Sequence, residues 1–340
     1  MTVTNRRFVL ASRPTGAPRE DNFRLETAPV PELGPGQVLV RHHYLSLDPY
    51  MRGRMSDQKS YAAPQPLGEV MIGGTVGEVV ATRSGSFVVG DKVVGMGGWQ
   101  DYAVVNGDGP AAGLRKVDTT HVPLQAYLGA VGMPGVTAWV GLNTICEPKE
   151  GETVVVSAAS GAVGGIVGQL AKAKGCRAVG VAGGKEKCDY VVGELGFDAC
   201  VDYKAATGPE AFFAMLRGAT PSGIDCYFEN VGGMILDAVM LQMNAFGRIA
   251  MCGMIAGYDG QPLPMQHPAL ILRSRLRVQG FIVSEHPQHW PRALSELGAG
   301  VAQGKLKYRE SVASGLESAP GAFLGLLQGK NFGKQLVKLI

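Results

Sequence analysis

Two glycines, Gly161 and Gly164, stand where a short run of β-branched residues gives way to an apolar helical pattern. Residues 153–156 predict a strand and residues 163–174 a helix, which is the context that a dinucleotide-binding turn requires. Gly161 would let a pyrophosphate approach the backbone N–H groups at the helix N-terminus, and Gly164 would let the helix pack on the strand. The pattern is A-x-x-G-x-x-G, so Ala158 occupies the position where a first glycine is common.

The next predicted strand, residues 177–182, indicates which dinucleotide would bind. It ends in G-G-K-E-K, without the Asp or Glu that NAD-specific sites usually place about 20 residues on for the adenosine ribose. Lys185 and Lys187 are available to pair with a 2′-phosphate, and Gly183 leaves room beside them. Alternatively, the two lysines form a solvated helix start with Glu186 between them. The sequence favours NADP(H) over NAD(H).

The elements that must position these residues follow from the spacing of apolar runs. Before residue 120, apolar runs at 38–41, 75–81 and 92–94 lie between turn signals and predict a mostly β domain. From about residue 150, strands alternate with helices, which predicts a parallel sheet covered on both faces. The further elements predicted there are a helix at 186–195 and strands at 199–201, 224–228, 248–252 and 278–283. The segment 307–340 predicts strand, helix and strand, but periodicity does not assign it to either domain.

Composition excludes several classes of protein. The 49 glycines and 20 prolines among 340 residues are too few for a low-complexity chain, and no G-X-Y period is present. A net charge of +3 without a Lys/Arg cluster argues against a nucleic-acid partner. The six cysteines form no C-x-x-C pair, which favours reduced thiols. Because the apolar windows are too short for a membrane span or a signal peptide, we expect a soluble cytoplasmic protein.

Several motifs along nearly the whole chain resemble one family of enzymes. They are D-P-Y-M-R at 48–52, V-G-D-K-V at 89–93, G-M-P-G-V-T-A at 132–138, the A-x-x-G-x-x-G loop, F-E-N-V-G-G at 228–233 and N-F-G-K at 331–334. With these motifs the chain resembles the medium-chain dehydrogenase/reductase superfamily. Within it, the chain is most similar to the zinc-independent branch of prostaglandin reductases, 2-alkenal double-bond reductases and curcumin reductases.

The resemblance implies an α/β fold in which a Rossmann doubly wound parallel sheet is inserted in a GroES-like, mostly β catalytic domain. Residues 1–125 and 306–340 would form the catalytic domain, and residues 126–305 the NADP-binding domain. NADPH would lie in the cleft, with Lys187 and Tyr203 at its 2′-phosphate and Asn230 and Asn331 nearer its nicotinamide half. The other implied cofactor contacts are Ala158, Gly161, Ala162, Val163, Gly164, Gly183, Cys252, Phe281 and Val283.

Three of these polar contacts have a purely structural alternative. Asn230 precedes two glycines and is a common type of turn residue. Tyr203 could equally be an aromatic residue at the end of a strand. Asn331 could end a helix, because asparagine often adopts the left-handed conformation.

The sequence predicts no metal site. Zinc needs three or four converging ligands, and His42 and His43 have no cysteine partner nearby. Adjacent residues on a strand point to opposite faces, so this pair would not share an ion. Glu69, after Gly68, lacks the adjoining histidine of the zinc-containing relatives. We therefore expect a metal-free mechanism.

Without a metal, reduction of an activated C=C bond is easier than oxidation of an alcohol. Hydride would pass from NADPH to the β-carbon of an enone or enal, and the charge on the carbonyl oxygen would require a donor. The resemblance points to Tyr258 as the phenol that reaches this oxygen, with Tyr50 as a second candidate. Alternatively, Tyr258 is a turn residue and Tyr50 a packing aromatic. The S-E-H-P segment after Val283 departs from the prostaglandin reductases, so the chain length of the substrate stays open.

Two other functions stay open at this point. One is a quinone reductase of the same superfamily, and the other is a non-catalytic NADPH-binding protein such as certain lens crystallins. The presence of Tyr50 and Tyr258 beside the whole set of cofactor residues argues against the second. The resemblance also implies a homodimer formed through an edge of the nucleotide-domain sheet, around residues 278–283 or the preceding strand.

Overall fold

The computed structural model describes residues 4–109 and 113–340. The expectation that the N-terminus is not a signal peptide therefore falls in part, at residues 1–3, outside the described residues. The chain falls into two units. The first comprises Met1–Leu128 and Glu310–Ile340, and the second comprises Gly129–Arg309. The first unit is thus built from two separate stretches of chain, and the second from one continuous stretch.

The first unit is a mostly antiparallel β structure. Its elements are β1 (Thr4–Leu10), β2 (Phe23–Pro29), β3 (Gln37–Ser46), α1 (Tyr50–Arg54), β4 (Thr75–Thr82), β5 (Lys92–Gly95), β6 (Tyr102–Asn106), β7 (Leu114–Lys116), β14 (Glu310–Ser314), α9 (Ala319–Leu327) and β15 (Lys334–Lys338). The main sheet runs β14-β15-β3-β4-β5-β7, with β6 also paired to β3, and β1 and β2 form a separate antiparallel pair. The strand β15 lies between β14 and β3, so the second stretch of chain completes a sheet begun by the first.

Aromatic side chains from both stretches form the core of this unit. Trp99 is fully buried and stacks on Phe23 with 5.1 Å between ring centroids. Phe323 of α9 meets Trp99 edge-on at 5.7 Å, and Val337 of β15 belongs to the same cluster. Burial of one such side chain contributes about 1.5–3 kcal/mol. The segment 310–340 is therefore part of the core of the first unit.

The second unit is a doubly wound parallel sheet. Its elements are α2 (Met133–Val140), β8 (Thr153–Ser157), α3 (Gly164–Ala173), β9 (Arg177–Ala182), α4 (Lys185–Gly193), β10 (Ala199–Asp202), α5 (Pro209–Ala219), β11 (Ile224–Glu229), α6 (Gly233–Met240), β12 (Met243–Met251), α7 (Ala269–Arg273), β13 (Arg277–Gly280) and α8 (Trp290–Ala302). The strand order is β10-β9-β8-β11-β12-β13, and every pairing is parallel. Counted along the chain this is the 3-2-1-4-5-6 order of the Rossmann fold, which confirms the predicted sheet.

The central strands explain why their sequence is apolar throughout. All five residues of β8 are buried, as in a parallel strand covered on both faces. The helix α3 packs closely on its neighbours: a Cβ added at Gly168 would lie 1.8 Å from the ring of Phe197. No helix in residues 4–109 and 113–340 is long and apolar enough to cross a membrane.

Two strands of the second unit differ from the prediction by more than one residue at their ends. The strand predicted at 248–252 begins earlier, at Met243, because β12 also pairs with the start of β11 through Met243 and Ile224. The strand predicted at 278–283 ends at Gly280. Its last ladder pair is Met251 with Gly280, and β12 stops there, so the following residues have no strand to pair with. The segment 307–340 contains strand, helix and strand, as predicted.

Candidate active site

The carboxyl ends of β8 and β11 are neighbours at the point where the strand order reverses, which is where ligands bind in open parallel sheets. Ser157 ends β8 and Glu229 ends β11, and both are fully buried. The Ser157 hydroxyl donates to Glu229 Oε1 at 2.8 Å and accepts the backbone N–H of Asn230 at 2.7 Å. These bonds fix the start of the loop that follows β11.

Asn230 is held in one orientation by this network. Its Nδ2 donates to the carbonyl oxygen of Ser157 at 2.8 Å. A carbonyl oxygen only accepts hydrogen bonds, so the amide nitrogen must face Ser157 and Oδ1 keeps its capacity to accept. The left-handed conformations of the loop belong to Gly232 (φ +83°) and Gly233 (φ +60°). The two glycines, rather than Asn230, therefore provide the special geometry of the turn.

The carboxyl group of Glu229 governs the chemistry of its surroundings. Burial raises the pKa of Glu229, and the N–H of Val231 donates to its Oε1 at 2.5 Å. The buried hydroxyl of Tyr227 interacts with the same carboxyl group. Burial and the charge of Glu229 raise the pKa of Cys252 to about 12. The Cys252 thiol therefore stays protonated at neutral pH, which excludes it as a nucleophile.

The loop between β8 and α3 is tightly closed. Ala158 has φ +50°, a left-handed conformation that glycine adopts without strain, which explains why glycine is common at this position. A Cβ added at Gly164 would lie 2.4 Å from the carbonyl oxygen of Ala158, against 3.1 Å for one added at Gly161. Ala162 and Val163 complete the turn before α3 begins. Their N–H groups belong to the helix N-terminus, where donors lack partners within the helix.

Positively charged side chains meet at the carboxyl ends of β9 and β10. Tyr203 and Lys204 lie against Gly183, where an added Cβ would be 2.9 Å from the Tyr203 hydroxyl and 3.0 Å from Lys204 Cε. Burial lowers the pKa of Lys187, and the charge of Lys204 lowers it further. Because two nearby ammonium groups repel each other, an anion between them is favoured. We call Gly183, Lys187, Tyr203 and Lys204 the lysine corner.

Two neighbours of the lysine corner are already paired. Asp202 Oδ1 accepts the backbone N–H groups of Gly184 at 2.7 Å and Lys204 at 2.9 Å, which joins the ends of β9 and β10. The ammonium group of Lys185 pairs with Asp189 at 2.6 Å on the exposed face of α4. Of the two lysines considered from the sequence, Lys187 belongs to the corner, because the charge of Lys204 acts on its pKa, whereas Lys185 lies on the exposed face of α4.

Tyr258 lies close to Asn230 in the second unit. It follows a short 3-10 helix, Ile255–Gly257, whose Ile255 N–H donates to the carbonyl oxygen of Asn230 at 3.2 Å. The hydroxyl of Tyr258 lies over Gly253, where an added Cβ would be 3.3 Å from the oxygen. The structure thus brings the phenol of Tyr258 to the loop that contains Asn230.

Phe281 and Val283 follow the end of β13. Phe281 packs edge-on against Phe228 with 6.1 Å between ring centroids. The carbonyl oxygen of Val283 accepts the indole N–H of Trp290 at 3.1 Å and the backbone N–H of His286 at 3.2 Å. With its carbonyl occupied, Val283 can offer a ligand its backbone N–H.

In the first unit, Tyr50 and Asn331 lie near a buried ion pair. Lys334 Nζ donates to Asp48 Oδ1 at 2.7 Å, and the two side chains are only 4% and 7% exposed. Tyr50 begins α1 two residues after Asp48, and burial together with that charge raises its pKa, so its hydroxyl stays a neutral donor. Asn331 Nδ2 donates to the carbonyl oxygen of Gly333 at 2.7 Å.

The helix α9 ends without the help of Asn331. The left-handed residue that follows this helix is Gly329, with φ +66°. The interpretation of Asn331 as a left-handed helix end is therefore wrong, and its side chain donates instead to the carbonyl oxygen of Gly333.

Three polar residues at the carboxyl ends of these strands are not among the residues predicted from the sequence. They are Ser157, Glu229 and Lys204. Each stands at or just after the end of a strand of the parallel sheet, and the carboxyl ends of parallel strands share one edge of the sheet. A polar residue that ends an apolar run is the signal that could have identified Ser157 and Glu229.

His42 and His43 have different surroundings. His42 is buried with Nδ1 2.8 Å from the carbonyl oxygen of Gln100, and burial lowers its pKa to about 4. His43 Nε2 lies 3.9 Å from a carboxylate oxygen of Glu78. Within the described parts of the chain, no group of three or more His, Cys, Asp or Glu side chains could hold a metal ion.

Two family models match most of the chain. Residues 6–112 match a family described as the N-terminal domain of oxidoreductase, and residues 162–299 match one described as zinc-binding dehydrogenase. The first match lies in the first unit and the second in the second unit.

Named relatives match nearly the full length. The chain is 48% identical to the NADPH-dependent curcumin reductase of Escherichia coli (strain K12), over 98% of this chain and 97% of the relative. It is 42% identical to the 2-alkenal reductase (NADP(+)-dependent) of Nicotiana tabacum, over 98% and 97% of the two chains. It is 43% identical to prostaglandin reductase 1 of Rattus norvegicus, over 95% of each chain.

A solved structure also matches the fold over nearly the full length of the chain. It is the crystal structure of CurA in complex with NADPH from Vibrio vulnificus, with a TM-score of 0.92 and 47% identity over 98% of this chain and 99% of that chain. The predicted fold class, a Rossmann sheet with a GroES-like domain, is thereby confirmed. With these matches, the chain belongs to the zinc-independent medium-chain dehydrogenases/reductases, in the branch of the curcumin, 2-alkenal and prostaglandin reductases.

Proposed function

We propose that this protein is an oxidoreductase that uses NADPH to reduce the C=C bond of α,β-unsaturated aldehydes and ketones. Relatives named curcumin reductase, 2-alkenal reductase and prostaglandin reductase, and a similar structure with NADPH, support this class of reaction. The observation that carries the proposal is the placement of the Tyr258 hydroxyl over Gly253, beside the loop that contains Asn230. A phenol there is a donor next to the switch point of the sheet.

NADP(H) is the proposed cofactor, with its pyrophosphate at the N-terminus of α3. The N–H groups of Ala162 and Val163 would bind the phosphates, and Gly161 and Gly164 would leave room for them. Ala158 shapes the turn through its left-handed conformation. No basic side chain is needed in this loop, because backbone donors and the helix dipole provide the attraction for the phosphates.

The lysine corner is the proposed site of the 2′-phosphate. Lys187 and Lys204 would neutralise the phosphate, and the Tyr203 hydroxyl would donate to it, while Gly183 leaves space. The lysine corner would favour NADP(H), because NAD(H) lacks the 2′-phosphate whose negative charge would offset the repulsion between the two ammonium groups.

The nicotinamide half of the cofactor is assigned to residues after β11, β12 and β13. Asn230 would accept a hydrogen bond through Oδ1, and Val283 would donate one through its backbone N–H. Phe281 and Cys252 would line this part of the site. Asn331 of the first unit keeps its proposed cofactor role.

The proposed mechanism stabilises an enolate without a metal ion. When bound, NADPH supplies the hydride, which is added to the β-carbon of the substrate. The negative charge that develops on the carbonyl oxygen is stabilised by a hydrogen bond from Tyr258. Tyr50 is the second proposed donor, because its raised pKa keeps its hydroxyl protonated.

Replacement of Tyr258 by phenylalanine tests the mechanism. In the variant Tyr258→Phe, kcat for a 2-alkenal should fall about 10–100-fold, on the scale of all or part of one oxyanion donor. NADPH oxidation measures the rate, and the NADPH dissociation constant should change little. Tyr102→Phe, in β6 of the first unit, is the control. An unchanged rate in Tyr258→Phe would remove this residue from the mechanism.

A substrate panel tests the activity itself. With 2-alkenals, long enones and 1,4-quinones, we expect the highest kcat/KM on the enals or enones. Deuterium carried on the transferring position of NADPH should appear at the β-carbon of the product. Higher kcat/KM on quinones would instead identify a quinone reductase. Saturable NADPH binding without turnover on any of these compounds would identify a binding protein.

The remaining parts of the proposal concern organisation. We propose that residues 1–125 with 306–340 form one functional domain and that residues 126–305 form the other. We also propose that the protein is cytoplasmic, since all six cysteines are free thiols, as expected in a reducing compartment.

We further propose a homodimer formed along β13. The strand β13 is an edge of its sheet, and Leu272 just before it is 81% exposed. Light scattering should give a dimer for the wild type and a monomer for Leu272→Asp, and a monomeric wild type would contradict the homodimer.

A further inference from the structure

Cys188 and Cys200 form a close thiol pair beside the lysine corner. Cys188 lies in α4 and Cys200 in β10, and their sulfur atoms are 2.9 Å apart. Both residues are partly exposed, whereas Cys146, Cys176 and Cys226 are buried. A reagent dissolved in water can therefore reach the pair more readily than those three thiols.

The two thiols of the pair have different properties. Cys200 donates its S–H to Cys188, and this hydrogen bond lowers the pKa of Cys188 and raises that of Cys200. Cys188 is also the fourth residue of α4, close to the helix N-terminus, where the helix dipole favours a thiolate. Cys188 is thus suited to attack first, and Cys200 is suited to resolve the product.

We propose that Cys188 and Cys200 are a redox pair that a hydroperoxide oxidises reversibly to a disulfide, and that this oxidation weakens NADPH binding. The Cys188 thiolate attacks the peroxide, the O–O bond breaks, and the leaving oxygen takes up a proton as water or an alcohol, which leaves a sulfenic acid on Cys188. The Cys200 thiol then attacks that sulfur, so that the S–S bond forms and water leaves. In total, two thiols are oxidised by two electrons and one hydroperoxide is reduced.

The effect on NADPH rests on the proposed function of the lysine corner. Closing the disulfide shortens the distance between the two sulfur atoms from 2.9 Å to about 2.05 Å. Lys187 immediately precedes Cys188, and Tyr203 and Lys204 follow the end of β10. The new bond therefore joins the two elements that carry opposite sides of the corner, and it changes the distance between them.

A tryptic digest tests the disulfide directly. Trypsin releases residues 188–204 as one peptide, because no Lys or Arg lies between Lys187 and Lys204, and each other cysteine falls in a different peptide. After stoichiometric hydrogen peroxide is added to the full-length protein, this peptide should lose the mass of two hydrogens. Dithiothreitol should restore the mass.

Variants assign the roles of the two thiols. In Cys200→Ser, oxidation should stop at a sulfenic acid on Cys188, which a dimedone-type reagent traps. In Cys188→Ser, the same dose should leave Cys200 unmodified. Cys176→Ser is the matched control, and it should still form the disulfide. Equal oxidation of Cys188→Ser and the wild type would overturn the assigned roles.

The coupling is tested by NADPH titration of the reduced and oxidised protein. Oxidation should weaken NADPH binding about fivefold or more, at the lower end of typical couplings between sites, and dithiothreitol should reverse the change. A peptide that keeps both thiols, or a disulfide that leaves NADPH affinity unchanged, would overturn the proposal. If the reduced protein does not bind NADPH, the proposed function and the coupling fail. The mass of peptide 188–204 still tests whether the disulfide forms, because that measurement does not depend on NADPH.

Discussion

Ala158 and Gly164 show how a single methyl group decides whether the phosphate loop can form. The Cβ of an alanine at 164 would lie 2.4 Å from the carbonyl oxygen of Ala158, which is backbone and cannot move aside alone. Gly164→Ala should therefore lower the free energy of unfolding by about 1–3 kcal/mol, as overpacking usually does. It should also weaken NADPH binding more than tenfold. Thermal unfolding and fluorescence titration measure the two effects.

The control for this prediction is another glycine in a helix of the same unit. Gly218 of α5 has open space around its added Cβ. Gly218→Ala should raise the free energy of unfolding by about 0.5–1 kcal/mol, because alanine loses less freedom in a helix than glycine does. Equal behaviour of the two variants would mean that the contact with Ala158 has no influence.

The three lysines around α4 give a second prediction for single residues. Lys204→Gln and Lys187→Gln should each weaken NADPH binding about tenfold or more, since a hydrogen bond to a charged group contributes about 1.5–3 kcal/mol. NADH binding should hardly change. Lys185→Gln is the matched control, because Lys185 pairs with Asp189 on the exposed face. Equal losses for NADPH and NADH would show that the lysine corner does not bind the 2′-phosphate.

At the scale of elements, the Asp48–Lys334 pair joins β15 to the connection between β3 and α1. Both side chains are almost completely buried, so removal of one charge leaves the other unpaired away from water. Lys334→Met should lower the free energy of unfolding by about 3–5 kcal/mol, measured by denaturant titration. Lys185→Met, at an exposed pair, should cost less than about 1 kcal/mol. Similar losses in the two variants would contradict this account.

The elements that the sequence predicted well are those whose signal is local. The strand β8 is an unbroken β-branched run that enters a glycine turn, and α3 follows with a helical apolar pattern, so both were found. The ends of β12 and β13 were not, because a strand stops where its partner stops, and this depends on residues distant in the chain.

The same limit applies to the candidate site. Gly183 follows from the glycine pair after a predicted strand and Tyr203 from the resemblance to the family, and the structure packs one against the other. Lys204 and the Ser157–Glu229 bond were missed, because both depend on which strands are neighbours in the sheet. Ser157 and Glu229, for example, end neighbouring strands but are about 70 residues apart in the chain. Neither residue type nor spacing along one element contains that information.

For the whole molecule, Glu310 makes stability depend on pH. Burial raises its pKa to about 7 in the folded protein, above the value in an unfolded chain. Between about pH 4.5 and 7 the folded state therefore binds more protons than the unfolded state, and stability falls as pH rises. Glu310→Gln should have a higher Tm than the wild type at pH 8 and a similar Tm at pH 5.

Calorimetry at the two pH values checks this sign. Glu32→Gln, at an exposed position, should give the same Tm difference from the wild type at both pH values. A Tm difference for Glu310→Gln that is larger at pH 5 than at pH 8 would reverse the assigned direction.

The position of β15 between β14 and β3 also has a consequence for biosynthesis. Until residues 334–338 leave the ribosome, the 44–46 end of β3 is paired only with β4 and its other edge is open, and Trp99 lacks Phe323 until α9 is made. Residues 129–309 form a continuous unit whose six strands are complete before residue 310 is translated. The nascent chain should thus fold from its middle, while the unit that begins with the first 128 residues stays incomplete until residues 310–340 are made.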